Sequence, residues 1–176
     1  IGKYESWLDD GTKEWEYYFN DDGTRDSTKL TTRWYESGQK WYEGYIKTLN
    51  DTTSVWNGLY TSWYENGQKQ IEKTYKDGIE IGKYESWLDD GTKEWEYYFN
   101  DDGTRDSTKL TTRWYESGQK RYEGYVKTLN DTTSVWNGLY TKWYENGQKE
   151  YESTYKDGER ISIKCWDENG NEEFCN

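Results

Sequence analysis

One block of 80 residues occurs twice in this chain of 176 residues. Residues 1–80 align with residues 81–160 without a gap, and 72 of the 80 positions are identical. Self-similarity at a fixed period is the signature of repeat architectures. We therefore predict one continuous repeat domain, with blocks at 1–80 and 81–160 and a C-terminal capping hairpin at 161–176. The eight positions that differ are Trp41/Arg121, Ile46/Val126, Ser62/Lys142, Gln70/Glu150, Ile71/Tyr151, Lys73/Ser153, Ile79/Glu159 and Glu80/Arg160.

A seven-residue segment recurs at a finer scale. It reads WYENGQK at 63–69 and 143–149, and WYESGQK at 34–40 and 114–120. Asn-Gly and Asp-Gly pairs readily adopt the positive φ that tight hairpin turns require. The segment is therefore predicted to be the end of one strand, a turn, and the start of the next strand. Glycines of this kind of turn lie at Gly11, Gly38, Gly67, Gly91, Gly118, Gly147 and Gly170.

Between the turns the sequence alternates with a period of two. In KEWEYYF at 13–19, one face is predicted to carry Trp15, Tyr17 and Phe19, and the other Glu14, Glu16 and Tyr18. This period, the enrichment in aromatic residues and Thr, and the absence of Pro all indicate strands, and no stretch has helical periodicity. We predict an all-β fold, an elongated single-layer antiparallel meander of about 14 short strands, either open and twisted or coiled into a shallow solenoid.

The composition restricts the classes of partner. A net charge of −12 argues against nucleic acid and against an anionic membrane surface, because both require clustered Lys and Arg. Leu, Ile, Val and Phe number 21 of 176 residues, which is typical of disordered chains. We reject disorder because 12 Trp and 19 Tyr supply the missing apolar area. No apolar run has transmembrane length, and no signal peptide is recognisable.

The segment GLYTSWYENGQKQIEKTYKDG at 58–78 resembles the MORN-repeat family, in particular the bacterial variant found among antitoxins of toxin–antitoxin systems. The shared elements are the Gly-x-Tyr opening, the Trp-Tyr pair, the Asn-Gly turn and the closing Tyr-Lys-Asp-Gly. The resemblance covers essentially the whole chain and is weakest at 28–56. It implies stacked β-hairpins, no catalysis, no cofactor, and a role in scaffolding, membrane association or protein contact. A local stretch, EWEYYFNDDGT at 14–24, is similar to choline- and glucan-binding cell-wall repeats, but it lacks their Gly-Trp opening.

The aromatic residues have two interpretations. They either form the core of a sheet that is poor in aliphatic residues, or they provide a platform for a ligand such as a sugar. Trp41 is predicted to be exposed, because its counterpart in the second block is Arg121. The candidate interaction residues are Trp41, Ile71, Tyr151, Ile1 and Tyr4.

No catalytic residue and no metal ligand is assigned. Carboxylates are numerous but are duplicated with the repeat, and the chain has no His to act as a base. The NDDGTRD turns contain calcium-type ligands but lack the EF-hand loop, and turn chemistry alone accounts for them. Asn50 and Asn130 begin N-x-T sequons and are candidate glycosylation sites. The turn residues weighed as calcium ligands are Asn20, Asp22 and Asp26, with Asn100, Asp102 and Asp106.

The two cysteines both lie in the C-terminal hairpin. Cys165 and Cys175 are each five residues from Gly170, so they are predicted to fall opposite each other and to form a cross-strand disulfide. The alternative is two free thiols. A disulfide indicates a location outside the reducing cytosol.

Three functions fit the sequence. The leading hypothesis is a non-catalytic structural or assembly module, extracellular or at the cell surface, which self-assembles into filaments through an uncapped edge strand or exposed rings such as Trp41. The first alternative is a cytosolic antitoxin or adaptor that binds one protein, with reduced cysteines. The second is a carbohydrate-binding module. The expected partners are therefore a second copy of the chain, another protein, or a glycan.

Overall fold

A computed structural model of the protein describes residues 2–50, 53–130 and 133–175. All regular structure in these ranges is β-strand, and 14 strands follow one another in the sheet in chain order. The prediction of an all-β antiparallel meander is confirmed. The strands are β1 (Gly2–Trp7), β2 (Lys13–Phe19), β3 (Leu30–Trp34), β4 (Lys40–Asn50), β5 (Thr53–Trp63), β6 (Lys69–Lys76), β7 (Ile79–Trp87), β8 (Lys93–Phe99), β9 (Leu110–Trp114), β10 (Lys120–Asn130), β11 (Thr133–Trp143), β12 (Lys149–Lys156), β13 (Glu159–Trp166) and β14 (Glu172–Glu173).

The chain divides into two compact units. The first consists of Ile1–Gly82 and Asp89–Gly91, and the second of Lys83–Leu88 and Thr92–Asn176. Within each unit, consecutive strands pair side by side as antiparallel neighbours. The 80-residue blocks of the sequence and these two units differ by only a few residues at their common border.

The WYENGQK segment forms the turn that its sequence predicts. At 143–149, the Tyr144 amide donates to the Gln148 carbonyl at 2.8 Å, and the Gly147 amide donates to the Tyr144 carbonyl at 3.0 Å. Gly147 has φ of 85°, a conformation that residues with a Cβ rarely adopt. The Asn146 side chain completes the turn by accepting a hydrogen bond from the Gln148 amide at 2.9 Å.

Each of these hairpins contains a β-bulge directly after its turn. Lys142 lies opposite Tyr151, and Trp143 lies opposite Lys149, so Glu150 has no partner in the ladder. One extra residue of this kind locally breaks the alternation of faces. The same unpaired position is held in other hairpins by Glu14, Trp41, Gln70 and Arg121.

The bulge corrects one sequence-based prediction. Glu14 does not share the face of Glu16. Its carboxylate instead accepts a hydrogen bond from Ser6 at 3.3 Å and lies 3.8 Å from the Arg33 guanidinium. Lys13 takes the place beside Glu16, to which it donates a hydrogen bond. Strict period-two counting fails here because the extra residue shifts the phase by one.

Aromatic rings on one face form the core of this single-layer sheet. In the second unit, Trp136 packs edge-on against Tyr122 and Tyr140, with ring centres 5.8 and 4.7 Å apart. Among the described apolar side chains, Tyr140 is the one that is buried. A Cβ on Gly124 would lie 3.0 Å from Tyr140 and 3.1 Å from Trp136, so glycine allows the rings to lie directly on the backbone. The interpretation of the rings as core is thus supported.

Candidate interaction surfaces

The opposite face of the sheet carries a ladder of alternating Trp and Lys side chains, which we call the tryptophan–lysine ladder. Lysines that end seven-residue segments place their ammonium groups over the indole of the following repeat, at 4.9 Å for Lys149 over Trp166. The same lysines pair with a Glu three residues on, at 2.8 Å for Lys149 and Glu152. Lys40 over Trp63 and Lys120 over Trp143 make the same contact, as do Lys13 over Trp34 and Lys93 over Trp114 after the WLDDGTK turns.

Carboxylates of this ladder are held in their charged form. Burial raises the pKa of Glu16, but hydrogen bonds from Lys13, Tyr18 and Lys3 outweigh it and hold the pKa at about 2. The equivalent Glu96 is shifted in the same direction for the same reasons. Within each unit, the ladder is therefore a row of ion pairs and cation–π contacts at neutral pH.

Hydrogen bonds join each turn to the next repeat. The Tyr144 hydroxyl donates to the Trp166 carbonyl at 3.0 Å, and the Asn146 side-chain amide donates to the Glu168 carbonyl at 2.9 Å. The Gln148 side chain covers Gly170, where an added Cβ would lie 3.0 Å from its Oε1 atom. Six of the seven residues of WYENGQK thus form the turn or hold the next repeat, and the remaining residue, a Glu, is exposed. This packing explains why the segment recurs.

Trp41 lies in a cleft of the first unit and is half-buried, so its predicted exposure is wrong. Its ring stacks on Tyr35, with ring centres 5.5 Å apart, and the Arg33 guanidinium lies 4.6 Å from its centre. The bulge places Trp41 beside these residues of the preceding strand and turn. The cleft has a volume of about 370 Å³, and the carboxylates at its border are Glu14, Glu36 and Glu65.

The second unit contains an equivalent cleft. Tyr115 and Arg113 take the positions of Tyr35 and Arg33, and the one lining residue that differs is Arg121, in place of Trp41. The Arg121 guanidinium lies 5.5 Å from the centre of the Tyr115 ring. This cleft has a volume of about 230 Å³, and its carboxylates are Glu94, Glu116 and Glu145.

Other positions at which the two blocks differ contact each other in pairs. Ser62 donates to Gln70 at 3.3 Å in the first unit, and Lys142 pairs with Glu150 at 2.8 Å in the second. A neutral pair in one block is thus an ion pair in the other. The two candidate residues of this region, Ile71 and Tyr151, lie directly opposite Ser62 and Lys142.

The remaining candidate interaction residues differ in accessibility. Tyr151 is half-buried and stacks on Tyr140 at 5.6 Å, and Ile71 is also half-buried. Tyr4 on β1 is 45% exposed and stacks on Tyr17 at 4.5 Å. Ile1 lies outside the described residues. Tyr4 is therefore the candidate among these whose ring is most open to a partner.

The polar turns use their carboxylates internally. The Asp22 carboxylate accepts hydrogen bonds from the Thr24 amide at 2.9 Å and hydroxyl at 2.6 Å, and Asp26 does the same with Thr28. These bonds lower the pKa of Asp22 and Asp26. In the ranges that the structure describes, no three His, Cys, Asp or Glu side chains converge as a metal site would require. The same arrangement recurs at Asn100, Asp102 and Asp106.

The sequon asparagines lie at strand ends. Asn50 and Asn130 are the last residues of β4 and β10, and both are exposed. The threonines of the two sequons, Thr52 and Thr132, lie outside the described residues. Glycosylation at these positions stays a prediction.

Cys165 and Cys175 lie at disulfide distance, with sulfur atoms 2.09 Å apart and Cα atoms 5.3 Å apart. The predicted pairing is therefore confirmed, but the predicted register is wrong. The ladder places Cys165 opposite Glu173, so Cys175 lies two residues further along and beyond β14. The turn is centred one residue earlier than its glycine, because Gly170 is the last of four turn residues. The bond therefore joins β13 to the segment after β14.

For the described residues, there is no helix with the length and apolar character needed to cross a membrane. Comparison with known proteins finds no family model that matches this chain and no curated protein that matches it. The resemblance to MORN repeats therefore rests on the sequence pattern alone and stays a prediction.

Proposed function

We propose that this protein is a non-catalytic structural or assembly module that acts at the cell surface or outside the cell. The observation that carries this proposal is the use of the repeated residues. In each seven-residue segment they form the turn or hold the next repeat, through the tryptophan–lysine ladder and the tyrosine hydroxyls. Residues repeated for this purpose build modular lengths of sheet rather than a reaction centre.

The cysteine pair supports the proposed location. Disulfides persist in oxidising compartments and are rare in the reducing cytosol. Intact-mass measurement of the native protein, with and without reductant, tests this point. A gain of two hydrogens on reduction supports the surface or extracellular location. Fully reduced cysteines in the native material would contradict it and favour the cytosolic antitoxin or adaptor.

The proposed mode of assembly is self-association through the edge of β1. β1 pairs with β2 on one side, and its Tyr4 and Trp7 are 45% and 55% exposed. Exposed edge strands are templates for pairing with another chain. The sequence of β1 recurs in β7, and β7 has a neighbouring strand on each side. A second copy that pairs with β1 would give head-to-tail filaments.

Electron microscopy and light scattering over a concentration series test self-association. Filaments are expected from the native chain and are expected to shorten or disappear in Tyr4→Asp, because a charge is placed on the edge. Leu139→Asp is the matched control, since Leu139 is 47% exposed and lies on β11, which has β10 and β12 as neighbours and is at neither edge of the sheet. A monomer at every concentration would contradict self-assembly.

A further inference from the structure

The two clefts are natural variants of one site, since their lining residues correspond position by position except at Trp41 and Arg121. We propose that the cleft at Trp41 binds a cationic side chain, a guanidinium or an ammonium, of a basic partner protein. This inference rests on the proposed function as a contact module and adds the chemistry of the partner.

The charge of the first cleft favours a cation. Three carboxylates and one guanidinium line it, which gives a net charge of −2. That guanidinium, on Arg33, already lies 3.8 Å from Glu14. Glu36 and Glu65 are exposed and form no ion pair with any described residue. Two carboxylates are thus available to a cation, in a protein whose net charge of −12 attracts basic partners.

The aromatic walls provide a second attraction. Trp and Tyr rings attract cations through their faces, and Trp does so most strongly. The chain already uses this contact here, because the Arg33 guanidinium lies 4.5 Å from the Trp15 ring centre and 4.6 Å from that of Trp41. A cation in the cleft would meet the same ring together with the free carboxylates. An anionic or neutral ligand would gain less from this combination.

The second cleft shows what a cation does in such a site. There the chain's own Arg121 places a guanidinium 5.5 Å from Tyr115 within an equally acidic border. The net charge of the lining is −1 rather than −2, and the volume is about 230 Å³ rather than about 370 Å³. The second cleft therefore already contains a cation of its own, whereas the first has both the room and the charge for one from a partner.

The two blocks supply matched variants for the test. Trp41→Arg converts the first cleft into the second, and Arg121→Trp converts the second into the first. Each variant carries a residue that the other block carries in the same setting, so folding should be retained. Dispersion of the remaining indole N–H signals in NMR spectra checks this. Loss of one of the 12 indole signals in Trp41→Arg identifies the Trp41 signal.

The probe is the dipeptide acetyl-Arg-Arg-amide, titrated into the full chain. In the native protein the Trp41 indole signal should shift and saturate. In Trp41→Arg, binding should weaken about tenfold or more, because a ring is lost and a like charge is added. In Arg121→Trp, the added indole signal should also shift, and the stoichiometry should rise from one to two. Raising the salt from about 20 to about 150 mM should weaken binding, since the charges are near the surface.

Other outcomes would overturn the proposal. Equal binding to Trp41→Arg would show general attraction to an acidic protein, and absence of a saturable shift would show that the cleft binds no cation. Equal binding of acetyl-Glu-Glu-amide would show that the positive charge of the ligand does not determine binding. A shift of Trp41 with cellohexaose but not with the arginine peptide would make the cleft a glycan site. None of these results depends on filament formation or on the cysteines, so failure here is distinct from failure of the proposed function.

Discussion

At the scale of single residues, WYENGQK is a set of contacts directed to the next repeat. Tyr144 donates its hydroxyl to a carbonyl of the following hairpin, and Lys149 covers the following indole. Gly147 supplies the positive φ of the turn, and Gln148 covers the next turn glycine. Apart from the exposed Glu, each residue of the segment has a partner in the turn or in the next repeat, so single substitutions should have separable effects.

The tyrosine hydroxyl gives the first prediction. Tyr115→Phe removes the hydrogen bond to the Trp143 carbonyl, which is 2.8 Å long, and leaves the ring in place. We expect a loss of about 1 kcal/mol in the free energy of unfolding, because a half-buried carbonyl loses its donor. Urea denaturation measures this loss. Tyr125→Phe is the control, since its hydroxyl has no hydrogen-bond partner among the described residues; an equal loss in both variants would contradict the assigned role.

The second prediction concerns pH. The pKa of Glu16 is about 2 in the folded chain, against an ordinary value of 4.5, because three donors outweigh the effect of burial. A pKa that is lower in the folded state means that the carboxylate stabilises the fold above about pH 4.5, and that this contribution is lost as the pH falls towards 2. Glu16→Gln should therefore be less stable at pH 7 and less sensitive to acid between these values.

Thermal unfolding across this pH range provides the measurement for Glu16. Glu36→Gln is the control, because Glu36 is exposed and forms no ion pair with the described residues. A native-like acid dependence in Glu16→Gln would show that other carboxylates dominate. Asp22 and Asp26 are also shifted downwards by their Thr partners and contribute in the same direction.

At the scale of elements, the hairpin with its bulge is the unit of construction. The bulge position is held by Trp41 in one hairpin and by Arg121, Gln70, Glu150 or Glu14 in others. Since this residue has no partner in the ladder, its side chain can change without disturbing the pairing of strands. The bulges are therefore the places where one repeat can differ from another in binding.

The last hairpin gives the element-scale prediction. Cys165→Ser with Cys175→Ser opens a bond of sequence separation 10, which should cost about 3 kcal/mol in local stability by the chain-entropy relation. Because β14 has only two residues, we expect faster amide exchange at β13 and β14 and little change at β9 to β11. Native-state hydrogen exchange measures this. A uniform loss of protection through the chain would instead show that the bond stabilises the whole fold.

For the molecule as a whole, the contacts within each unit join hairpins that are neighbours in the sequence. Ring contacts and the tryptophan–lysine ladder connect adjacent hairpins, as in Trp136 with Tyr140 or Lys120 with Trp143. Stability should then be close to a sum over repeats and their interfaces. The two near-identical blocks should have similar intrinsic stability, apart from the contribution of the C-terminal hairpin.

This additivity predicts that residues 81–176 fold alone. They contain all of the second unit, with its own ring core around Tyr140 and the disulfide-linked hairpin. Near-UV circular dichroism of the fragment should show ordered rings, and urea should unfold it cooperatively. Residues 1–80 are the comparison, because they lack the capping hairpin and should be less soluble. A disordered 81–176 fragment would contradict additivity.

The class of fold, the number of strands and the positions of the turns could be predicted from the amino-acid sequence. Those properties follow from local chemistry, namely alternation of period two and glycines that adopt positive φ. The sequence also determined which cysteines pair, because the chain has two. The sequence could not determine which residues lie opposite each other after each turn. The face on which Glu14 lies and the residue opposite Cys165 were therefore not predictable.

The surroundings of Trp41, by contrast, depend on the tertiary structure. The sequence marked this position as variable, but its half-burial depends on Tyr35 and Arg33, which the bulge and the strand register bring beside it. Likewise, the clefts arise from side chains of several hairpins and have no local signature. The reason is physical: turn and strand propensities are properties of a few consecutive residues, whereas a cleft depends on the register between strands that are distant in the chain.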